Sequence, residues 1–114
     1  MAGATIGYDD FMKVDIRVGR VQKVEPFPKA RRPAYKLWID FGPELGVRKT
    51  SAQVTKHYSP EDLPGRLVLA VVNFPPKQVA DFMSEVLLLG AMPDAETVVL
   101  IHPEREVPLG TRML

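Results

Sequence analysis

No apolar stretch in this chain runs far before a proline or a glycine interrupts it. Eleven prolines and eight glycines are spread through 114 residues, and the longest apolar run is "LVLAVV", Leu67 to Val72. A proline inside a helix removes a hydrogen bond and clashes with the preceding turn, whereas strands accept it at their ends and edges. That run is also far short of the roughly 20 apolar residues needed to span a bilayer. The punctuation therefore selects short strands joined by tight connections.

The strands can be placed by alternation. In "VDIRV", Val14, Ile16 and Val18 share one face, and Asp15 and Arg17 take the other. The phase changes after Gly19, because Val21 and Val24 no longer fit, which predicts a bulge or bend at that glycine. In "YKLWIDF", Tyr35, Leu37, Ile39 and Phe41 point inward and leave Lys36, Trp38 and Asp40 on the opposite face. "GPELG" reads as a turn and "VRKTSAQV" as a partner strand. Ser59, Pro60 and the acids after them start a helix that Pro64-Gly65 stops after one turn. "RLVLAVVNF" is apolar enough for a strand covered on both sides. "SEVLLLGA" and "TVVLI" supply two more, and one weak strand follows in "HPEREVPLGTRML".

Five or six short strands, a bent first strand and one helical turn fit an all-β fold. The five-stranded OB barrel suits this size, with a β-sandwich as the rival. The length allows one domain, residues 1–114, with no room for two separate cores. The absence of cysteine removes disulfides and thiolate chemistry, and fits a reducing compartment. "MAGATIGYDDF" lacks a basic region followed by an apolar one, so the expected location is cytoplasmic, with no membrane insertion.

The formal net charge of +1 conceals an uneven distribution. Between Lys13 and Lys56 there are eleven basic and four acidic residues, so that segment alone carries +7. Local field, more than net charge, decides where a polyanion lands. The densest part is "FPKARRPAYKLW", where a basic loop runs into a strand that displays the tryptophan.

Several longer stretches together resemble one family. "FMKVDIRVGRV", "AYKLWIDFG", "TSAQVTKHYSPEDLPGR", "AVVNFPPKQV" and "FMSEVLLLGA" occur in the order found in the OB-fold tRNA-binding domain. That domain stands alone in some proteins and is appended C-terminally in methionyl-tRNA synthetases. Two features resemble its stand-alone, homodimeric branch, described as a protein-export chaperone. The loop "PKARRPAY" is long and basic, and Ser84-Glu85-Val86-Leu87 stands where the synthetase type reads Ser-x-Gly-Met. The resemblance implies binding of unfolded preproteins, contact with the export motor ATPase, binding of tRNA, and pairing with a second copy. The alternative is a protein devoted mainly to structured tRNA. The terminal extensions, 1–12 and 92–114, would lie at the dimer interface, with Ile6, Phe11, Val99 and Ile101 near it.

Candidate RNA- or peptide-binding residues are Lys29, Arg31, Arg32, Lys36, Trp38, Arg48, Lys49 and Lys56, with Ser51, Gln53, Phe82, Met83 and Ser84 beside them. The simpler reading is a solvated loop over a packed tryptophan. Phe27, Trp38, Phe74, Val79, Phe82 and Met83 could line an apolar groove, or be core. Asn73, beside Pro75-Pro76, is better read as satisfying backbone groups at a strand end. His57 and His102 are isolated, with no metal-ligand spacing and no serine–histidine–acid grouping, so the expectation is a non-enzyme without cofactor or metal.

Overall fold

The computed structural model describes residues 3–114; the first two residues of the expected N-terminal extension lie outside the described residues. After a short helix α1 (Tyr8–Met12) come β1 (Ile16–Pro26), β2 (Tyr35–Asp40), a one-turn helix α2 (Gly42–Leu45) and β3 (Val47–Ala52). A 3-10 turn (Pro60–Asp62), β4 (Leu67–Val71), β5 (Lys77–Val79), β6 (Phe82–Ser84), β7 (Leu87–Leu88), β8 (Gly90–Ala91) and β9 (Val99–Leu100) follow. Five strands form one antiparallel sheet in the order β3-β2-β1-β4-β7, which coils into a nearly closed barrel. β5–β6 and β8–β9 are separate two-stranded ribbons.

β1 makes the coiling possible by serving two neighbours. Its first half pairs with β4 and its second half with β2. The register slips between Val21 and Lys23, so Gln22 is the extra residue of a bulge and Val21 and Val24 both face inward. The phase change in the sequence is therefore real, but it falls three residues beyond Gly19. Gly19 answers a different need: a Cβ there would lie 2.5 Å from Ile39 Cγ2 and 2.8 Å from the Phe41 ring.

Leu37, Ile39, Phe41, Leu63, Val68 and Ala70 are fully sealed in the barrel interior. Tyr35 donates its hydroxyl hydrogen to Tyr58 C=O at 2.7 Å, and Tyr58 Oη accepts Leu100 N–H at 2.9 Å. Those bonds tie the 3-10 turn region and β9 to the core. Asn73 caps a strand end, donating to Lys13 C=O and accepting Asp15 N–H. The weak final strand binds within its own chain. Gly110 N–H reaches Val18 C=O and Met113 N–H reaches Ile16 C=O, each at 2.8 Å. Among the described residues no helix is long and apolar enough to cross a membrane.

Candidate ligand-binding cleft

Cross-strand register sets the outer face of β1–β3. Lys23, Trp38 and Lys49 stand in one row, and Glu25, Lys36 and Ser51 in the next. The β5–β6 ribbon folds over this face and inserts Phe82, whose ring meets Trp38 at 5.9 Å and Phe27 at 5.6 Å, edge to face. Lys23 Nζ lies 4.8 Å from the centre of the Trp38 ring, Lys36 Nζ 4.8 Å from that of Phe27, and Lys49 Nζ 5.0 Å from that of Phe82.

This arrangement corrects three expectations. Phe27 and Phe82 are buried and, with Ala34, form a small second core beneath the ribbon; they do not line a groove. Trp38 is half-buried, meeting Phe82 in an edge-to-face contact and carrying Lys23 over its ring, so it is no free stacking platform. Arg48 pairs with Ile39 and therefore faces away from Trp38, its Nε donating to Leu45 C=O at 3.2 Å. Adjacent strand residues cannot share a face, and of Arg48 and Lys49 only Lys49 stands beside the indole.

The open space lies next to this second core. A cleft of about 640 Å³ runs between the 30–34 loop, the end of β3, the β5–β6 ribbon and β7. Ala30, Ala34, Val79, Leu87, Leu88, Met92 and Val98 give it apolar walls, and Arg31, Arg32, Ser51, Gln53, Lys77 and Ser84 supply polar groups. A second cleft of about 580 Å³ shares Arg32, Gln53, Met92 and Val98 with it and adds Lys56. Lys56 is paired there with Glu96 at 3.2 Å. Among the described residues Arg31, Arg32, Lys36, Lys49 and Lys77 have no ion-pair partner.

Hydroxyl groups staple the floor. Ser51 N–H donates to Ser84 Oγ at 3.1 Å, Ser84 and Thr50 hydroxyls lie 2.8 Å apart, and Thr50 Oγ1 donates to Val86 C=O at 2.8 Å. Glu85 N–H donates to Lys49 C=O, and Glu85 Oε1 accepts Lys49 N–H. These bonds, not a further strand pairing, close the barrel between β3 and residues 84–86. Met83 is exposed on the ribbon's far side, outside the cleft lining.

Lys29 is committed to a latch. Its ammonium donates to Asp81 Oδ2 at 2.9 Å and joins the basic loop to the ribbon tip. That hydrogen bond holds the Asp81 carboxyl below its ordinary value. A carboxylate whose pKa is depressed by folding contributes stability above the unfolded-state pKa and loses it as pH falls through the folded one. The latch is therefore expected to be made at neutral pH and to open only below the ordinary aspartate range of about 4. Amide protection across Lys77–Ser84, taken relative to the intrinsic exchange rate at each pH, should fall on acidification in the parent protein, with no such acid step in Asp81→Asn. An equal acid step in the variant would assign the change to another carboxylate.

Ile6, Val99 and Ile101 are exposed, and Phe11 is half-buried with its ring 6.4 Å from Tyr8. Among the described residues no three His, Cys, Asp or Glu side chains are grouped to hold a metal ion. The cleft residues absent from the sequence expectation include Ala30, Ala34, Lys77, Leu87, Leu88, Met92 and Val98. Met92 and Val98 lie in the segment expected at a dimer interface, and nothing local marks them as neighbours of Arg32.

The family model described as "Putative tRNA binding domain" matches residues 16–112. Among solved structures, the chaperone CsaA of Bacillus anthracis is 53% identical, with a TM-score of 0.93 over 97% of this chain and all of its own. The CsaA chaperone protein of Picrophilus torridus is 45% identical, with a TM-score of 0.89 over 96% of this chain and 100% of that one. The methionine–tRNA ligase of Thermococcus kodakarensis is 39% identical over 108 residues, which is 95% of this chain but 14% of the ligase. The chain thus spans about one-seventh of the curated relatives it matches, and most of each ligase lies outside the shared domain. What is shared is a binding barrel, similar at full length to the CsaA chaperones: the chain belongs to the tRNA-binding domain family.

Proposed function

We propose that this chain is a non-catalytic, CsaA-like chaperone that holds unfolded, export-bound polypeptides in the cleft beside β3, on a barrel that also binds structured tRNA. It works in the cytoplasm as a homodimer and hands clients to the export motor ATPase. The carrying observation is the cleft's mixed character, with apolar walls from Val79, Leu88, Met92 and Val98 beside the unpaired cations Arg31, Arg32 and Lys77. Apolar walls gain from burying client side chains, methionine adapts to varied shapes, and cations hold acidic segments in register. Two protomers would add avidity for a long chain.

A second reading, primary binding of tRNA, draws on the five unpaired cations around the ribbon. Arg31→Ala, Arg32→Ala and Lys49→Ala combined should weaken tRNA binding and flatten the slope of log affinity against log salt by about 2 to 3, at nearly one unit per phosphate contact. Met92→Glu, at an exposed position on the cleft wall, should leave that slope intact and reduce suppression of client aggregation. Full aggregation suppression in Met92→Glu, with tRNA binding abolished in the triple variant, would favour the tRNA reading.

A further inference from the structure

Among the described residues the barrel is stapled at only one part of its seam. There, β3 meets residues 84–86 through the hydroxyl chain and the Glu85–Lys49 bonds; beyond Ser51 the two edges border the cleft. Strand register identifies the main-chain groups that face it. Lys49 and Ser51 turn theirs away from β2, toward Glu85 and Ser84, and Gln53, the first residue past the end of β3, follows two positions on and lines the cleft. Opposite, Leu89 N–H bonds to Leu69 C=O at 2.9 Å, so Leu87 and Leu89 face β4 while Leu88 faces the seam.

Thr50 has a single hydroxyl hydrogen, and Val86 C=O at 2.8 Å is nearer than Ser51 C=O at 3.0 Å. Ser51 C=O then keeps only the longer, 3.0 Å approach of that hydroxyl, and both main-chain groups of Gln53 and both of Leu88 are without a partner among the described residues. These groups line two edges of one cleft whose rim carries Arg31, Arg32 and Lys77 without counter-ions.

We infer that the cleft takes its polypeptide as an extended strand, added along the free edge that runs from Ser51 at the end of β3 through Gln53, with acidic flanking residues held by Arg31, Arg32 and Lys77. The inference rests on the chaperone reading above and specifies its mode. An unpaired edge is a template for another chain. Strand addition draws affinity from the client's main chain and selectivity from alternate side chains, of which one set would meet Leu88, Met92 and Val98. Such recognition tolerates diverse sequences but requires an extended segment with free amides. A sugar–phosphate backbone offers no amide ladder at this spacing.

The test uses the full chain and a labelled, end-capped peptide of alternating valine and threonine flanked by glutamates, N-methylated at one position at a time. Anisotropy titration should show affinity falling about tenfold at every second position and unchanged between them. Replacing the flanking glutamates by lysines should weaken binding further. A parent peptide that binds with no such alternation overturns strand addition and leaves the cleft reading standing. Equal binding of the lysine-flanked peptide removes the cations from the proposal. A parent peptide that fails to bind while tRNA still does overturns the chaperone reading, and strand addition with it.

Discussion

Phe41→Ala is expected to destabilise the protein by about 3–5 kcal/mol, as measured by urea unfolding, against a total of about 5–15 kcal/mol for a domain of ordinary stability. Phe41 directly follows β2 and has no exposed surface, and three features converge on it. Its ring covers Gly19, its N–H bonds to Gly46 C=O at 3.0 Å, and its C=O lies against Gly110. The ring belongs to the barrel's main apolar cluster with Leu37, Ile39, Leu63 and Val68, so its removal leaves a cavity in the centre of the core. A mutation at Gly19 probes the same contact from the other side. Gly19→Ala should cost about 1–3 kcal/mol by overpacking, since its methyl group would overlap both Ile39 and Phe41. Combined with Phe41→Leu, the alanine should cost less than it does alone, because the smaller side chain vacates part of the contested volume. Strict additivity in that double variant would show that Gly19 is needed for backbone conformation and not for close approach.

That pair also shows what sequence patterning can and cannot reach. Alternation in "YKLWIDF" sorted the faces of β2 because one face is buried and the strand period is two. The same rule, applied strictly, also separates Arg48 from Lys49. The phase slip in β1 was visible in Val21 and Val24, but a glycine nearby drew the bulge to itself. The atoms that require Gly19 to be a glycine belong to Ile39 and Phe41, some twenty positions away, and leave no local mark. The β5–β6 ribbon was hidden for a different reason. Its turn uses Ala80 at φ +52°, where glycine or asparagine would have announced a hairpin. With the ribbon unseen, the sequence left Phe82 open between a groove lining and core, and nothing marked it as the pin that holds the ribbon down. The basic loop was legible as a charged stretch; the cleft it borders was not, because its walls are assembled from residues 79, 87, 88, 92 and 98.

Phe82→Ala should remove that pin and, with it, one wall of the cleft. The ring is 6% exposed and touches both Phe27 and Trp38, while Lys36 and Lys49 lie over it. Beneath the ribbon there is only this small cluster, separate from the barrel core. The loss should therefore appear as local opening of residues 77–84, with the barrel retaining most of its stability. Trp38 reports the event directly, being the single tryptophan in the chain. Its emission should shift to the red as the indole meets water, amide protection in the ribbon should fall, and client holding should drop by about tenfold or more, as expected when a binding wall is left disordered. Phe82→Leu keeps most of the apolar volume and should restore most of all three signals. If Phe82→Ala leaves the emission and ribbon protection unchanged, the Lys29–Asp81 latch and the Ser84–Thr50 hydroxyl chain hold the ribbon without the ring. If instead the barrel and ribbon unfold together in a single transition, the second cluster belongs to the cooperative core, and the cleft is a rigid feature of the fold.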